Sequence, residues 1–199
     1  MKLFYSPASP YARKVRMLAI ETGLDSRIEF VVVDTMTPDA ALLNANPLGK
    51  IPTLLLDNGE ALFDSPVICR YLDSLAAAHL LPTAGDALWD VLRWEALADG
   101  VMDAAYNLVM ERRSRPENER SPRTMLRWAI EITRTLQHIE TRLPALGTEL
   151  SLAHIALGAA VGYVEFRLPQ ILVEAACPQL NAWYAAYKTR PAMEMTQPQ

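Results

Sequence analysis

The chain has 199 residues, 51% of them apolar and 21% charged, with a net charge of −4. That is enough apolar material for one or two packed domains, and the absence of a basic block argues against a nucleic-acid or membrane-surface partner. No run has the length of a membrane span or the form of a secretory leader, and two distant cysteines, Cys69 and Cys177, do not suggest a disulfide framework, so a soluble cytoplasmic protein is expected.

Leu3, Phe4 and Tyr5 form a short strand signal. From Pro10 to Thr22, Val15, Leu18, Ala19 and Thr22 recur at helical spacing, while Arg13, Arg16 and Glu21 lie off that stripe. Gly23 followed by Leu24 predicts the stop, with glycine left-handed and leucine supplying the accompanying apolar contact. Residues 28–33 are rich in β-branched side chains and read as a buried strand. A short helix signal covers 38–43. Beyond it, 53–57 and 60–63 flank Asn58-Gly59, which predicts an antiparallel pair joined by a two-residue turn. Residues 65–76 open on Ser-Pro and carry Val67, Ile68, Tyr71, Leu72 and Leu75 on one side, a helix with Ser65 as its expected N-cap. After 79–86 the strand signals end, and helical stripes follow at 87–113, 121–143, 151–166 and in shorter pieces to Arg190. The pattern predicts an α/β plus all-α chain: a βαβαββα domain over 1–78, a linker over 79–86 and an all-helical domain over 87–199.

Two Ser-Pro steps sit close together near the start, Ser6-Pro7 and Ser9-Pro10. Only Ser9 stands where a helix must begin, since serine is a preferred N-cap and proline is tolerated at the first helical position. A helix N-terminus presents unpaired N–H groups and the positive end of a dipole, and both favour an anion. Ser6 belongs to the loop. Arg13, Lys14 and Arg16 are either a solvated helix face or an electrostatic aid to an anionic ligand. Ser9-Pro10-Tyr11-Ala12 has the form of the glutaredoxin Cys-Pro-Tyr-Cys motif without either cysteine, so the thioredoxin-like frame remains and its own dithiol chemistry does not.

Along essentially its whole length the chain resembles a cytosolic glutathione S-transferase of the serine type. The resemblance is carried by SPYARKVRMLAIETG after the first strand, NPLGKIPTLLLDNG before the third, LFDSPVICRYLD at the third helix and CPQLNAWYAAYKTRPAM near the end. ALADGVMDAAY and AVGYVEFR are most similar to the bacterial YibF-like subgroup. The resemblance implies glutathione as co-substrate, no metal, a homodimer, and conjugation of the thiolate to a small hydrophobic electrophile. It assigns Ser9 as hydrogen-bond donor to the glutathione sulfur, with Tyr5 as the rival donor. It implies a cis Ile51-Pro52 peptide whose Ile51 backbone pairs with the tripeptide, Lys50 near the glycyl carboxylate, Ser65 on the γ-glutamyl carboxylate and Asp64 on its ammonium. Capping alone accounts for Ser65, and an exposed loop lysine for Lys50. Tyr5, Tyr11, Met102 and Tyr106 are the candidates for the acceptor side, which the resemblance implies lies between the domains. The stripe of Trp94, Met102, Tyr106 and Met110 also fits plain core packing. Asp99 and Asp103 either reach a partner subunit's glutathione or are simply solvated. A non-catalytic glutathione-binding or interaction protein, or a glutathione-dependent peroxidase or reductase, are the alternatives on the same fold.

One departure concerns the helix starting near residue 151. The family commonly places Ser/Thr-x-x-Asp there, and this chain has Ser151-Leu152-Ala153-His154. Ser151 can cap, but His154 cannot reciprocate as a carboxylate, so a weaker helix start is expected. His79, His138 and His154 make no metal-ligand cluster, and Cys69 reads as a small core residue.

Overall fold

The computed structural model describes residues 1–37, 39–77 and 79–199. Pro38, the expected start of the second helix, and Ala78, the last residue of the expected first domain, lie outside the described residues. The chain divides into two compact units, Met1–Leu88 with Arg190–Gln199, and Trp89–Thr189.

The first unit runs β1 (Lys2–Tyr5), α1 (Pro10–Glu21), β2 (Glu29–Val32), α2 (Ala40–Ala45), β3 (Thr53–Leu55), β4 (Ala61–Leu62) and α3 (Ser65–Leu75). The sheet order is β2-β1-β3-β4, with β1 parallel to β2 and antiparallel to β3, and β4 antiparallel to β3. Consecutive strand residues face opposite ways, and both Leu3 and Phe4 are buried, so the central strand is covered on both faces. Phe4 clusters with Val33 and with Leu42 of α2, while α3 packs on α1 and on β3.

Helix α1 ends as its sequence predicts. Gly23 is left-handed at φ 69°, its N–H reaches the Ile20 carbonyl at 3.0 Å, and the Leu24 N–H reaches Ala19 at 2.8 Å. This is a Schellman motif, with Leu24 buried beneath it. The β3–β4 turn corrects its expectation. Leu56 and Glu60 are joined by a hydrogen bond, which leaves the three residues Asp57, Asn58 and Gly59 in the loop rather than two. Only Gly59 has positive φ, whereas a two-residue turn of the expected kind needs it at both central positions. The start of α3 is also corrected. The Asp64 carbonyl accepts the first helical bond from Ile68 at 3.0 Å, so Asp64 is the N-cap and Ser65 the first helical residue.

The off-stripe face of α1 is not solvated. Helix α9 (Pro191–Met195) packs on it. The buried Arg13 guanidinium donates to the Met193 carbonyl at 3.0 Å and to the Thr196 hydroxyl at 3.3 Å. Arg16 donates to the Met195 carbonyl at 3.3 Å, and Arg190 grips the Glu21 carboxylate through two bonds of 2.8 Å. Lys14 is fully buried. Neither reading of this basic cluster holds for Arg13: it fastens the end of the chain to the first helix. Arg13→Ala removes a charged donor from a buried carbonyl and is expected to cost about 2 kcal/mol in urea denaturation. Hydrogen exchange of 190–199 should accelerate before the rest of the chain opens.

The second unit holds most of α4 (Gly85–Ser114), then α5 (Pro122–Arg142), α6 (Leu152–Arg167), α7 (Pro169–Ala175) and α8 (Pro178–Tyr187). Every residue of α6 from Leu152 to Val164 is buried, and α7 and α8 pack against it. At its start Ser151 is the N-cap, yet its hydroxyl makes no capping bond to a backbone N–H. It lies 3.0 Å from Nδ1 of buried His154, whose Nε2 lies 3.3 Å from the Gly147 carbonyl. One neutral tautomer satisfies both contacts: Nδ1 accepts the serine proton and Nε2–H donates to the carbonyl. The histidine thus ties the helix start to the preceding loop, by a route other than a capping box. His154→Ala should lower stability by about 1–3 kcal/mol, read by thermal or denaturant unfolding, because Ser151 and Gly147 then lose their buried partner.

Candidate functional site

The register of the sheet determines which candidate residues meet. Phe4 pairs with Thr53, so the end of β1 lies beside the start of β3. Leu54 pairs with Leu62, so the end of β4 lies at that same edge. Three connections therefore emerge together: the one leading from Tyr5 to Ser9, the one carrying Lys50, Ile51 and Pro52, and the one delivering Asp64 and Ser65.

Ser9 is the N-cap of α1, with Pro10 as the first helical residue. The Ser6 carbonyl accepts the Ser9 N–H at 3.0 Å, so the first Ser-Pro is turn geometry. The Ser9 hydroxyl oxygen accepts the Ala12 N–H at 3.2 Å. That bond uses a lone pair and leaves the hydroxyl proton available for donation. Ser9 itself is only partly buried, so this proton can be directed to a ligand at a helix N-terminus.

The loop before β3 is held by a residue that pattern reading passed over. Buried Asn46 donates to the Lys50 carbonyl at 3.1 Å and to the Thr53 hydroxyl at 2.9 Å, and it accepts the Leu48 N–H at 3.0 Å. Thr53 in turn donates to the Lys50 carbonyl at 2.8 Å. Gly49, at φ 61°, closes the turn by donating to the Asn46 carbonyl. The available signal was Asn-Pro followed by glycine, a turn pattern. The Ile51-Pro52 peptide is cis, and neither the N–H nor the C=O of Ile51 has a hydrogen-bond partner among the described residues. An extended peptide can occupy such a pair by strand addition. Lys50 is exposed, with its side chain in solvent.

Ser65 is 2% exposed, and no partner for its hydroxyl exists among the described residues. As the first helical residue it offers both hydroxyl and N–H at the start of α3, with exposed Asp64 beside it. Tyr5 is engaged differently. The Arg16 guanidinium lies 4.8 Å from its ring centroid, and Phe30 meets it edge-on at 5.9 Å. Burial holds the Arg16 pKa below its ordinary value, an effect that Tyr5 partly offsets.

The remaining candidates separate. Tyr11 is half-buried on α1 and has interactions of its own. Met102 is fully buried and, like Trp94, serves the core of the helical unit. Tyr106 is 41% exposed on α4. Among the described residues no group of three His, Cys, Asp or Glu side chains could hold a metal ion, and no helix is long and apolar enough to cross a membrane.

Comparison with known proteins agrees with the fold. Family models for the glutathione S-transferase N-terminal and C-terminal domains match residues 8–75 and 103–186. The uncharacterized GST-like protein YibF of Escherichia coli K12 is 39% identical over 171 residues, covering 84% of this chain and 83% of that protein. A glutathione transferase family member from Pseudomonas fluorescens Pf-5, solved with bound glutathione, superposes with a TM-score of 0.95 at 40% identity, covering 100% of this chain and 98% of that one. A structure of a Pf-5 family member with bound S-(propanoic acid)-glutathione superposes at 0.92 and 38% identity, over the full length of both chains. This chain belongs to the glutathione S-transferase family.

Proposed function

We propose that the protein binds reduced glutathione at the edge where Ser9, Ile51 and Ser65 converge, stabilises its thiolate and transfers it to a small hydrophobic electrophile. The carrying observation is Ser9 Oγ, which accepts the Ala12 N–H and so keeps its own proton for a sulfur anion. The open Ile51 backbone pair is the docking strand for the cysteinyl unit. Ser65 and the α3 N-terminus receive the γ-glutamyl carboxylate, Asp64 its ammonium, and Lys50 the glycyl carboxylate. Bound glutathione in a relative 40% identical to this chain supports that reading.

The energetics suffice without a base. A free thiol has a pKa of about 8.5, so only about three per cent is thiolate at pH 7. Lowering it by about two units takes about 2.7 kcal/mol. One hydrogen bond to a charged acceptor supplies about 1.5–3 kcal/mol, and the helix dipole about 0.3–1 kcal/mol. Ser9 acts as donor, not nucleophile. The reading carries with it a homodimer in the cytoplasm.

Glutathione-affinity retention together with conjugation of an aryl halide tests the proposal. Retention with turnover above the solution reaction is expected, and Tyr5→Phe should leave that turnover within about twofold, since about 0.4 kcal/mol separates a twofold change. Retention without any thiolate signal or turnover would instead indicate a binding protein.

A further inference from the structure

Ser9 is half-buried at the junction of a loop and a helix, so the direction of its hydroxyl depends on what holds the two flanks of that junction. On the helical flank, the Ser9 carbonyl accepts the Arg13 N–H at 3.0 Å, which closes the first turn of α1. The side chain of that same Arg13 is buried against the C-terminal tail. Its guanidinium donates to the Met193 carbonyl and, through Nε, to the Thr196 hydroxyl. Thr196 is buried as well and gives its own proton to the Ala192 carbonyl at 2.6 Å, which turns its oxygen into an acceptor for Arg13. On the strand flank, the ring of Tyr5 lies under the Arg16 guanidinium, and Arg16 donates to the Met195 carbonyl. The carbonyls used belong to the last turn of α9, where helix geometry leaves them without partners inside the helix. One short piece of the tail, Met193 to Thr196, therefore holds both flanks of the connection that delivers Ser9. Arg190, bonded twice to Glu21, fastens the start of the tail to the far end of α1.

We propose that residues 190–196 are a strap that positions Ser9, with Arg13 as the positioning residue. The strap does not touch the ligand. It fixes the first turn of α1 and with it the direction in which the Ser9 hydroxyl can donate. A hydrogen bond weakens steeply as its angle departs from linear, so a first turn free to rock loses thiolate stabilisation. Glutathione binding is less sensitive, because it is shared with the Ile51 backbone and Ser65. The catalytic consequence rests on the transfer reading above; the strap itself does not.

The test titrates bound glutathione by its thiolate absorption in wild type, Thr196→Val and Arg13→Ala, on the whole chain. Thr196→Val keeps the side-chain shape and removes the acceptor, whereas Arg13→Ala removes the grip entirely. The apparent thiol pKa should rise by about half a pH unit in the first variant and about one in the second. Turnover at neutral pH should fall about threefold and about tenfold, with glutathione dissociation constants within about twofold of wild type. His154→Ala, a variant destabilised in the second unit, is the control: it should melt lower and leave the pKa unchanged. In a Ser9→Ala background, Arg13→Ala should add no further rise. Should Arg13→Ala fail to fold, Thr196→Val alone decides. An unchanged pKa in the folded variants, or a rise that persists in full without the Ser9 hydroxyl, would overturn the strap. If the wild-type complex titrates like free glutathione, the transfer reading falls, and the strap is judged by amide exchange on the ligand-free chain. Thr196→Val should then speed the Ala12 and Arg13 amides, which bond to Ser9, by about tenfold relative to the Ile68 amide, which closes the first turn of α3. Exchange at those two amides equal to wild type would overturn it.

Discussion

Ser9→Ala is expected to lower conjugation turnover by about tenfold to a hundredfold, with a much smaller change in glutathione affinity. The hydroxyl stabilises the thiolate more than the thiol, so its removal raises the pKa of bound glutathione and cuts the reactive fraction at neutral pH. The same substitution deletes a helix cap and should cost about 0.5–2 kcal/mol of stability. A second variant separates the two roles. Aspartate caps a helix as well as serine does, but it offers no proton and adds a negative charge beside the sulfur. Ser9→Asp should therefore melt near wild type and still lose turnover at least as severely as Ser9→Ala. Ser9→Thr, which keeps both cap and donor, should retain most activity. If turnover tracked thermal stability across the three variants, Ser9 would be a cap and nothing more.

Gly158→Ala is expected to destabilise the helical unit by about 2 kcal/mol, a fall of roughly 4–8 °C in Tm. A Cβ at this position of α6 would stand 2.8 Å from Cδ1 of Tyr187 and closer still to Cε1. Tyr187 cannot swing aside: it is buried and stacked on Trp183, with centroids 4.8 Å apart and planes 13° from parallel. Helix propensity acts the other way, favouring alanine over glycine by about 1 kcal/mol. That opposition yields a sharper prediction. In a Tyr187→Leu background the collision is relieved and propensity remains, so Gly158→Ala should turn from destabilising to neutral or stabilising. A double-mutant cycle measures the reversal. An unchanged cost in both backgrounds would show that the ring contact is not the cause.

The sequence was legible where local chemistry decides local structure. The Gly23-Leu24 stop, the Ser9 cap and the order of strands and helices all rest on short-range rules, and all appear in the structure. The failures come from partners that leave no pattern. Arg13 lay off the apolar stripe, which correctly placed it on the other face of α1, but nothing in the chain announces that backbone carbonyls at Met193 and Met195 will cover that face. Asn46 is similarly silent: its three bonds organise the loop around Lys50, yet only a turn-forming composition marked the spot. The hairpin loop turned on φ at Asn58, which no residue name settles when a glycine follows. Met102 illustrates the ambiguity of an apolar stripe, since the spacing of core and lining residues is the same and only burial separates them.

The central claim is that Ser9 supports a thiolate brought by the ligand, and a spectroscopic titration of bound glutathione addresses it most directly. Following thiolate absorption against pH in wild type should give an apparent pKa about two units below the value of about 8.5 for a free thiol, with Ser9→Ala returning most of the way to that value. A wild-type complex titrating like free glutathione, or a lowered value that survives in Ser9→Ala, would contradict it.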